Sequence, residues 1–401
     1  MLHPSHLLTI ISGFSMKRQS IYLVAVLVIT WLACKKPYTP HLNSPNTNYL
    51  VVEGFININS DTTVISLSRT VSLKSISAYK PETGAIVVVE SSDGNKIPLR
   101  EQGLGKYFYP GLNVPATNKY RLRITTASGS TYLSDFVEAK PSPPIDSLSW
   151  KAFSDHLQIY ASTHDPLNKT IYYKWDYGET WKFHAHDYSG FMSNGVAIVQ
   201  RGVNDDIYTC WSSDSSSTTT LASSAKLAKD VIYEAPITSI PSTSLKVSLK
   251  YSIYVKQSTL TKQGFNFWEG MKKNTEQLGS IFDPQPSEIS GNIHNVNNSS
   301  EPVIGFISAG TTTSKRIFIS NEVLPRNWVT KYPFDCAVPE SLYYSHPRTG
   351  VNDVNEYLVP GLGIPLWQIY FQGFVIGYSS AGTQCADCRI LGTKKMPPFW
   401  Q

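Results

Sequence analysis

A period-two alternation of apolar and polar residues runs through the first part of the chain and restricts it to β structure. Tyr120, Leu122 and Ile124 alternate with polar neighbours. Successive side chains of a strand point to opposite faces, so this pattern places one face in a core and the other in solvent. Turn-forming stretches such as 92–95 (SDGN) separate the runs at short intervals. We therefore predict an immunoglobulin-like or transthyretin-like β-sandwich over residues 49–140.

A proline-rich segment follows this region. Residues 141–146 (PSPPID) contain three prolines, which cannot continue a central strand and which stiffen a connector. Beyond this linker, residues 147–401 are again mostly strand-like, as in 249–255 (LKYSIYV). The sequence thus predicts a mainly β protein with a larger, second β-rich domain over residues 147–401.

Two stretches of the second domain depart from the strand pattern. Thr261 is a suitable N-cap, and a helical face follows it. The residues that recur at helical spacing are Gly264, Phe267, Trp268, Met271, Thr275 and Leu278. We predict one amphipathic helix that packs its aromatic edge against the sheet. The serine- and threonine-rich stretch 211–220 predicts a solvated, mobile loop.

The N-terminal region reads as an export signal. Lys17 and Arg18 follow Met16, and residues 21–33 form an apolar segment that is too short to span a bilayer comfortably. We interpret residues 1–33 as a signal peptide whose true start is Met16.

The apolar segment ends at Cys34, which follows a small residue, as in a bacterial lipoprotein processing site. Acyl chains on Cys34 would hold the mature chain on a membrane without a transmembrane helix. The polar residues 34–48, with three prolines, predict an extended tether. Trp31 departs from the usual residue at its position, so an ordinary signal peptide cut nearby is the alternative.

The charge of the mature chain excludes one class of partner. Removing residues 1–33 removes two of 35 basic residues and none of 30 acidic ones, which leaves a net charge of about +3. This small charge gives no electrostatic case for nucleic-acid binding.

Four cysteines remain after Cys34, and an even number in an exported chain predicts two disulfides. They are Cys210, Cys336, Cys385 and Cys388. Four cysteines allow three connectivities; we favour pairing the two C-terminal ones with Cys210 and Cys336, which pins the tail to the body. The C-x-x-C spacing at the tail lacks a second such pair for zinc and a thioredoxin-like context for redox chemistry.

The surplus of aromatic residues, 12% of the chain, suggests binding, although in two β-sandwich cores most of these rings are expected to be buried. Trp175, Tyr177 and Trp181 are weak binding candidates, because exposed rings of this kind stack on sugars or form protein interfaces. The acids Asp176 and Glu179 lie among them, but three positions apart on a strand they point to opposite faces, which is wrong for a glycosidase pair.

We expect no metal site, no cofactor and no catalytic residue. His184 and His186 would share one face of a strand, but a third ligand is not evident. The chain has no G-x-S-x-G, no H-E-x-x-H and no phosphate-binding glycine loop.

Several blocks of sequence together resemble one family. They are LVVEGFI (50–56), YYKW (172–175), ETW (179–181), CW (210–211), KYSI (250–253), FW (267–268), KKNTE (272–276), GSIFD (279–283), GNI (291–293), CADCR (385–389) and PPFW (397–400). They look like the Bacteroidota outer-membrane lipoproteins grouped as domain of unknown function 4249, which are commonly encoded beside TonB-dependent receptors.

The resemblance implies a compartment and a partner, and no catalytic residue. It implies a non-enzymatic outer-membrane lipoprotein that serves as an accessory or ligand-capturing subunit of a TonB-dependent β-barrel transporter. The alternative is a free-standing cell-surface glycan-binding or adhesion lipoprotein. Lys35 and Lys36 stand where many surface-exported lipoproteins of that phylum carry acidic residues, so the face of the membrane stays open. The ligand and the oligomeric state stay open as well.

Overall fold

The computed structural model describes residues 48–71, 79–276 and 291–400, and these residues form a mainly β protein. The predicted signal peptide, the lipidation site Cys34 and the tether up to residue 47 lie outside the described residues, as does Leu278. None of the described helices is long and apolar enough to cross a membrane.

The first part of the described chain contains ten short strands. They are β1 (Leu50–Asn57), β2 (Thr63–Arg69), β3 (Lys80–Pro81), β4 (Ile86–Ser91), β5 (Lys96–Pro98), β6 (Arg100–Gly103), β7 (Lys106–Tyr109), β8 (Lys119–Thr125), β9 (Thr131–Ser134) and β10 (Val137–Lys140). β8 buries Tyr120, Leu122 and Ile124 and leaves the residues between them partly exposed, as the period of two predicts.

The rest of the described chain adds strands and two helices. The elements are β11 (Ile145–Ala152), β12 (His156–His164), β13 (Tyr172–His184), β14 (Phe191–Ser193), β15 (Ile198–Gln200), β16 (Thr209–Ser215), β17 (Thr220–Ser223), β18 (Val231–Pro241), β19 (Lys250–Thr259), α1 (Lys262–Glu276), β20 (Ile293–Asn295), β21 (Ser308–Gly310), β22 (Thr312–Ser320), β23 (Glu340–Tyr343), β24 (Ile364–Phe371), β25 (Phe374–Ala381) and α2 (Thr383–Ala386). Short 3₁₀ turns cover Val203–Asp205, Leu245–Val247, Asn321–Val323 and Cys388–Ile390, and a π-helical turn covers Val354–Leu358.

The first ten strands fold into an N-terminal β-sandwich whose two layers meet at β10. Residues Val137 and Glu138 of β10 pair with β8, while Ala139 and Lys140 pair with β21. Buried side chains from both layers form one core, including Leu50 of β1. The predicted sandwich is thus present, with the hydrophobic sides of both layers turned inward.

Two later strands complete this N-terminal sandwich. β20 pairs antiparallel with β9, and β21 lies between β1 and β10 and is parallel to both. Local sequence patterns do not predict this insertion, because a strand of three residues such as Ser308–Gly310 is too short to show a period-two alternation.

A second sandwich follows. One layer is β11-β12-β18, and the other is β16-β13-β19-β22 with β17 also paired to β13. Their facing side chains share a core that includes the fully buried Tyr173, Trp175 and Tyr251. Burial of rings of this size dominates the hydrophobic stabilisation of such a core.

The predicted helix is confirmed as α1. The backbone N–H of Gly264 donates to Oγ1 of Thr261 at 3.1 Å, which is the N-cap bond that the sequence predicted. The helix packs through its aromatic residues: the ring centroid of Phe265 lies 5.0 Å from that of Tyr172 on β13, and that of Phe267 lies 5.4 Å from that of Phe306.

The prediction of a loop over residues 211–220 is wrong for its first half. Residues up to Ser215 belong to β16, which pairs antiparallel with β13 from Gly178 to His184. The serines and threonines of this stretch are compatible with an outer strand, because a ladder of backbone hydrogen bonds does not depend on side-chain polarity. Only residues 216–219 form the connecting loop.

One disulfide ties the C-terminal segment to the second sandwich, and a second disulfide lies within the region that follows β22. Cys210 on β16 is bonded to Cys388, and Cys336 is bonded to Cys385. The tail also carries a three-stranded sheet of order β23-β25-β24, which packs around the side chain of Tyr378.

We expect Gly310→Ala to destabilise the protein by about 1–3 kcal/mol, because the new Cβ would meet a backbone atom that cannot move aside. An ideal Cβ at Gly310 lies 2.1 Å from the carbonyl oxygen of Lys140. Urea denaturation measures the effect. Gly178→Ala is the matched control in β13, since the nearest atom to its Cβ is the Asp214 oxygen at 4.0 Å. Equal unfolding midpoints for both variants would contradict the close packing of β21 against β10.

Non-reducing peptide mapping should recover a peptide pair joined through Cys210 and Cys388 and another joined through Cys336 and Cys385. Replacing either pair by alanine should lower the free energy of unfolding by about 2–5 kcal/mol, since each bond closes a long loop in the unfolded chain. The sequence separations are 178 and 49 residues. Free thiols at Cys385 and Cys388, or exchanged partners, would contradict this connectivity.

Candidate functional site

Trp175 lies in the core of the second sandwich and not at a surface. Its side chain is 0% exposed, and its indole Nε1 donates to Oε1 of Gln257 at 2.9 Å. A ring that is enclosed on all sides has no face on which a ligand could stack. The prediction of Trp175 as a binding residue is therefore wrong, because the strand's alternation turns it towards the opposing layer.

Tyr177 and Trp181 are half-buried on the same side of β13. The hydroxyl of Tyr177 donates to Oγ1 of Thr238 at 3.1 Å, and Nζ of Lys246 lies 5.1 Å from the ring centroid of Trp181. Tyr177 borders a small pocket of about 170 Å³. Lys246 thus covers one face of Trp181, and the role of Tyr177 and Trp181 as binding residues stays a prediction.

The acids Asp176 and Glu179 point to opposite faces of β13, as strand geometry requires. Glu179 is 4% exposed and accepts hydrogen bonds from the Tyr251 hydroxyl at 2.6 Å and from Nζ of Lys246 at 2.5 Å. Burial and the neighbouring Glu179 carboxylate raise the pKa of Tyr251, so its hydroxyl stays protonated. Asp176 is exposed and pairs with Lys174. The two carboxylates cannot act on one bond.

The two histidines near the end of β13 have separate surroundings. The ring of His184 stacks on Tyr208 with centroids 4.1 Å apart, and burial together with Lys182 lowers the pKa of His184. His186 lies beyond the strand and approaches Tyr332 edge-on. Within the described ranges, no group of three His, Cys, Asp or Glu side chains is placed to hold a metal ion.

A cleft of about 490 Å³ lies between the two sandwiches, and we refer to it as the inter-sandwich cleft. Its walls come from β1 and β2 on one side and from β13 and β19 on the other, with contributions from α1, the loop 216–219 and the ends of β21 and β22. Eight of its eighteen lining residues carry a hydroxyl group. Ligand sites form preferentially at such boundaries between packed units.

A polar network spans the cleft from one sandwich to the other. Nζ of Lys256 on β19 lies 2.6 Å from Oδ2 of Asp61, which is in the turn between β1 and β2. Oγ1 of Thr312 donates to the same carboxylate oxygen at 2.9 Å and accepts from Nδ2 of Asn57 at 2.8 Å. These bonds fix the spacing of the two walls.

A second ion pair and an aromatic ring lie on the other side of the cleft. Nζ of Lys174 is 2.6 Å from Oδ2 of Asp176 and 4.8 Å from the ring centroid of Trp268 on α1. Glu53 on β1 is exposed and has no ion-pair partner among the described residues. Lys174 and Lys256 are therefore each paired with a carboxylate, whereas the carboxylate of Glu53 is not paired with a cation among the described residues.

Opposing effects act on the carboxyl group of Asp61. Burial works to raise its pKa, but hydrogen bonds from Lys256 and Thr312 and the lysine charge outweigh burial and hold the pKa below its ordinary value of 3.8. The Asp61–Lys256 pair thus remains ionised at neutral pH.

Sequence reasoning identified few of the residues that line the cleft. Trp268 stands out for its helical spacing and Asp176 as half of a rejected acid pair, while residues 53–55 and Lys174 fall only within the blocks that resemble the family. The remaining residues come from segments more than 200 positions apart, such as Asn57 and Thr312, and carry no common motif. Only the serine- and threonine-rich stretch around 216–219 was a visible compositional signal.

Comparison with known proteins identifies a family. A family model described as "Domain of unknown function (DUF4249)" matches residues 35–316, which is most of the chain. No curated protein matches the chain. Among solved structures, the chicken interferon gamma receptor alpha chain matches 53% of this chain and 91% of its own length, at 10% identity and a TM-score of 0.15. A likeness this low carries no argument about fold or function.

We expect Asp61→Asn to loosen the contact across the cleft and to lower stability at neutral pH by about 0.5–1 kcal/mol, as for a solvent-accessible ion pair. Because the folded pKa of Asp61 is lowered, its contribution is present above pH 3.8 and is lost as pH falls through the folded value. Wild type and variant should therefore converge in acid.

Amide hydrogen exchange in residues 58–62 distinguishes this role from a general surface effect. Asp61→Asn should speed exchange there at neutral pH. Glu138→Gln, which breaks a solvent-accessible pair with Lys140 on the same strand, should not. If the exchange rates of residues 58–62 were unchanged in both variants, the Asp61–Lys256 pair would not stabilise the contact between the two sandwiches.

Proposed function

This chain belongs to the family of the domain of unknown function DUF4249, and from that premise we propose that it is a lipid-anchored outer-membrane protein. In this proposal it captures a ligand for a TonB-dependent transporter and does not catalyse a reaction. The observation that carries the capture role is the inter-sandwich cleft, which combines a ring, hydroxyl groups and fixed ion pairs.

The lipid anchor is supported by the sequence around Cys34. A short apolar segment ends in a small residue and this cysteine, and the family match begins at residue 35. Acylation at Cys34 would hold the folded body near the membrane surface through the polar residues that follow. The resemblance to lipoproteins encoded beside TonB-dependent receptors supports the transporter as partner.

A binding role is preferred to a catalytic one because of how the acids are placed. Asp176 is in the cleft and paired with Lys174, while Glu179 is buried behind the strand and bonded to Tyr251 and Lys246. An acid and a nucleophile that act on one bond must face the same substrate.

The proposal is tested by isolating the tagged protein from its native membrane in mild detergent and identifying the proteins that accompany it. We expect a TonB-dependent barrel in stoichiometric amount. The Cys34→Ala variant is the control and should leave the membrane fraction. Recovery of the anchored protein without a barrel would overturn the transporter role and favour the free-standing glycan-binding or adhesion lipoprotein.

A further inference from the structure

One hydroxyl group in the inter-sandwich cleft lacks the hydrogen bond that its burial calls for. Ser308 on β21 lines the cleft and is 6% exposed, and its Oγ has no hydrogen-bond partner among the described residues. Leaving a buried hydroxyl unpaired is unfavourable. The oxygen itself is enclosed, and an ideal Cβ at Gly264 of α1 would lie 3.2 Å from it. A ligand therefore reaches it by rotation about χ1 of Ser308, and then gains an interaction that the fold itself does not make.

The charges of the cleft disfavour an anionic ligand. Lys174 is bonded to Asp176, and Lys256 is bonded to Asp61, so neither ammonium group is free to bind a phosphate or a carboxylate. The carboxylate of Glu53 adds an unbalanced negative charge. An acidic ligand would meet repulsion and would have to displace an existing carboxylate partner.

The uncharged groups of the cleft match a ligand with many hydroxyls. Several of the cleft hydroxyls are already bonded within the fold, as that of Thr312 is to Asp61 and Asn57. A hydroxyl oxygen has two lone pairs, so a bonded hydroxyl can still accept from a ligand hydroxyl. Trp268 is half-buried and offers a flat apolar surface beside them. A ligand that presents an apolar face and a rim of hydroxyls, as a sugar ring does, satisfies both kinds of group.

Pairing of the wall strands disfavours an extended peptide. A peptide that binds by strand addition needs a free sheet edge. β1 is paired on both sides, by β2 and β21, and β19 is paired by β13 and β22. Their backbone groups are therefore already used.

We propose that the inter-sandwich cleft binds a neutral oligosaccharide, with Trp268 stacking on a sugar ring and Ser308 Oγ bonding to a sugar hydroxyl. This inference rests on the proposed capture function and names its ligand class. Asp176 and Glu53, which also line the cleft, add acceptors for sugar hydroxyls.

The test uses the full mature chain on an array of neutral gluco-, manno-, xylo- and galacto-oligosaccharides with uronic-acid and sulfated counterparts. Isothermal titration with the best neutral oligosaccharide then compares variants. We expect Trp268→Ala to weaken binding at least tenfold and Ser308→Ala to weaken it about threefold to tenfold. Ser308→Ala should fold as well as wild type, because it removes an unpaired buried hydroxyl.

Trp367→Ala is the matched control, because Trp367 is 51% exposed on β24 and does not line the cleft. Its affinity should equal that of wild type. Binding that is lost in Trp367→Ala but kept in both cleft variants would overturn the site. A response only to acidic glycans, or to none, would overturn the ligand class.

The outcomes separate this inference from the proposed function. A barrel that co-purifies with a protein that binds no neutral glycan overturns the ligand class and leaves the transporter role in place. Glycan binding at the cleft without a barrel supports the inference and overturns the transporter partnership.

Discussion

A single segment of chain, residues 308–320, belongs to both sandwiches and fixes their relation. Its first three residues form β21, which lies between β1 and β10, and the residues from Thr312 onward form β22 at the edge of the second sandwich. The two parts are separated only by Thr311. Moving one sandwich against the other would break backbone hydrogen bonds in at least one sheet, and each of those groups would then need another partner.

The cleft owes its geometry to this shared segment. Ser308 on β21 and Thr312 on β22 lie on either side of Thr311, and both line the cleft. The cleft is therefore lined by residues from a sheet of each sandwich. The Asp61–Lys256 pair adds a contact between the two sandwiches. A site built on strands is held more firmly than one built on loops alone, as the proposed capture role requires.

A buried amide group connects the linker to the second core. Gln257 is 0% exposed; it accepts from Nε1 of Trp175 and donates through Nε2 to the carbonyl oxygen of Pro143 at 2.9 Å. The same carbonyl oxygen also accepts from Oγ1 of Thr313 at 2.9 Å, so side-chain donors satisfy this acceptor of the linker. This explains why Trp175, which looks in sequence like a binding residue, serves packing instead.

The sequence by itself determined the β class, the sandwich character of the first ten strands, the helix α1 with its Thr261 cap and the family, because each depends on local periodicity or on contiguous blocks of residues. Only the tertiary structure decided where β21 inserts, that Trp175 is buried, and that Asn57 meets Thr312. A period of two shows that a residue alternates between faces, but it does not show what covers each face. What covers each face depends on contacts between segments far apart in the chain. A strand of three residues, such as β21, is too short to show a periodicity from which such contacts could be predicted.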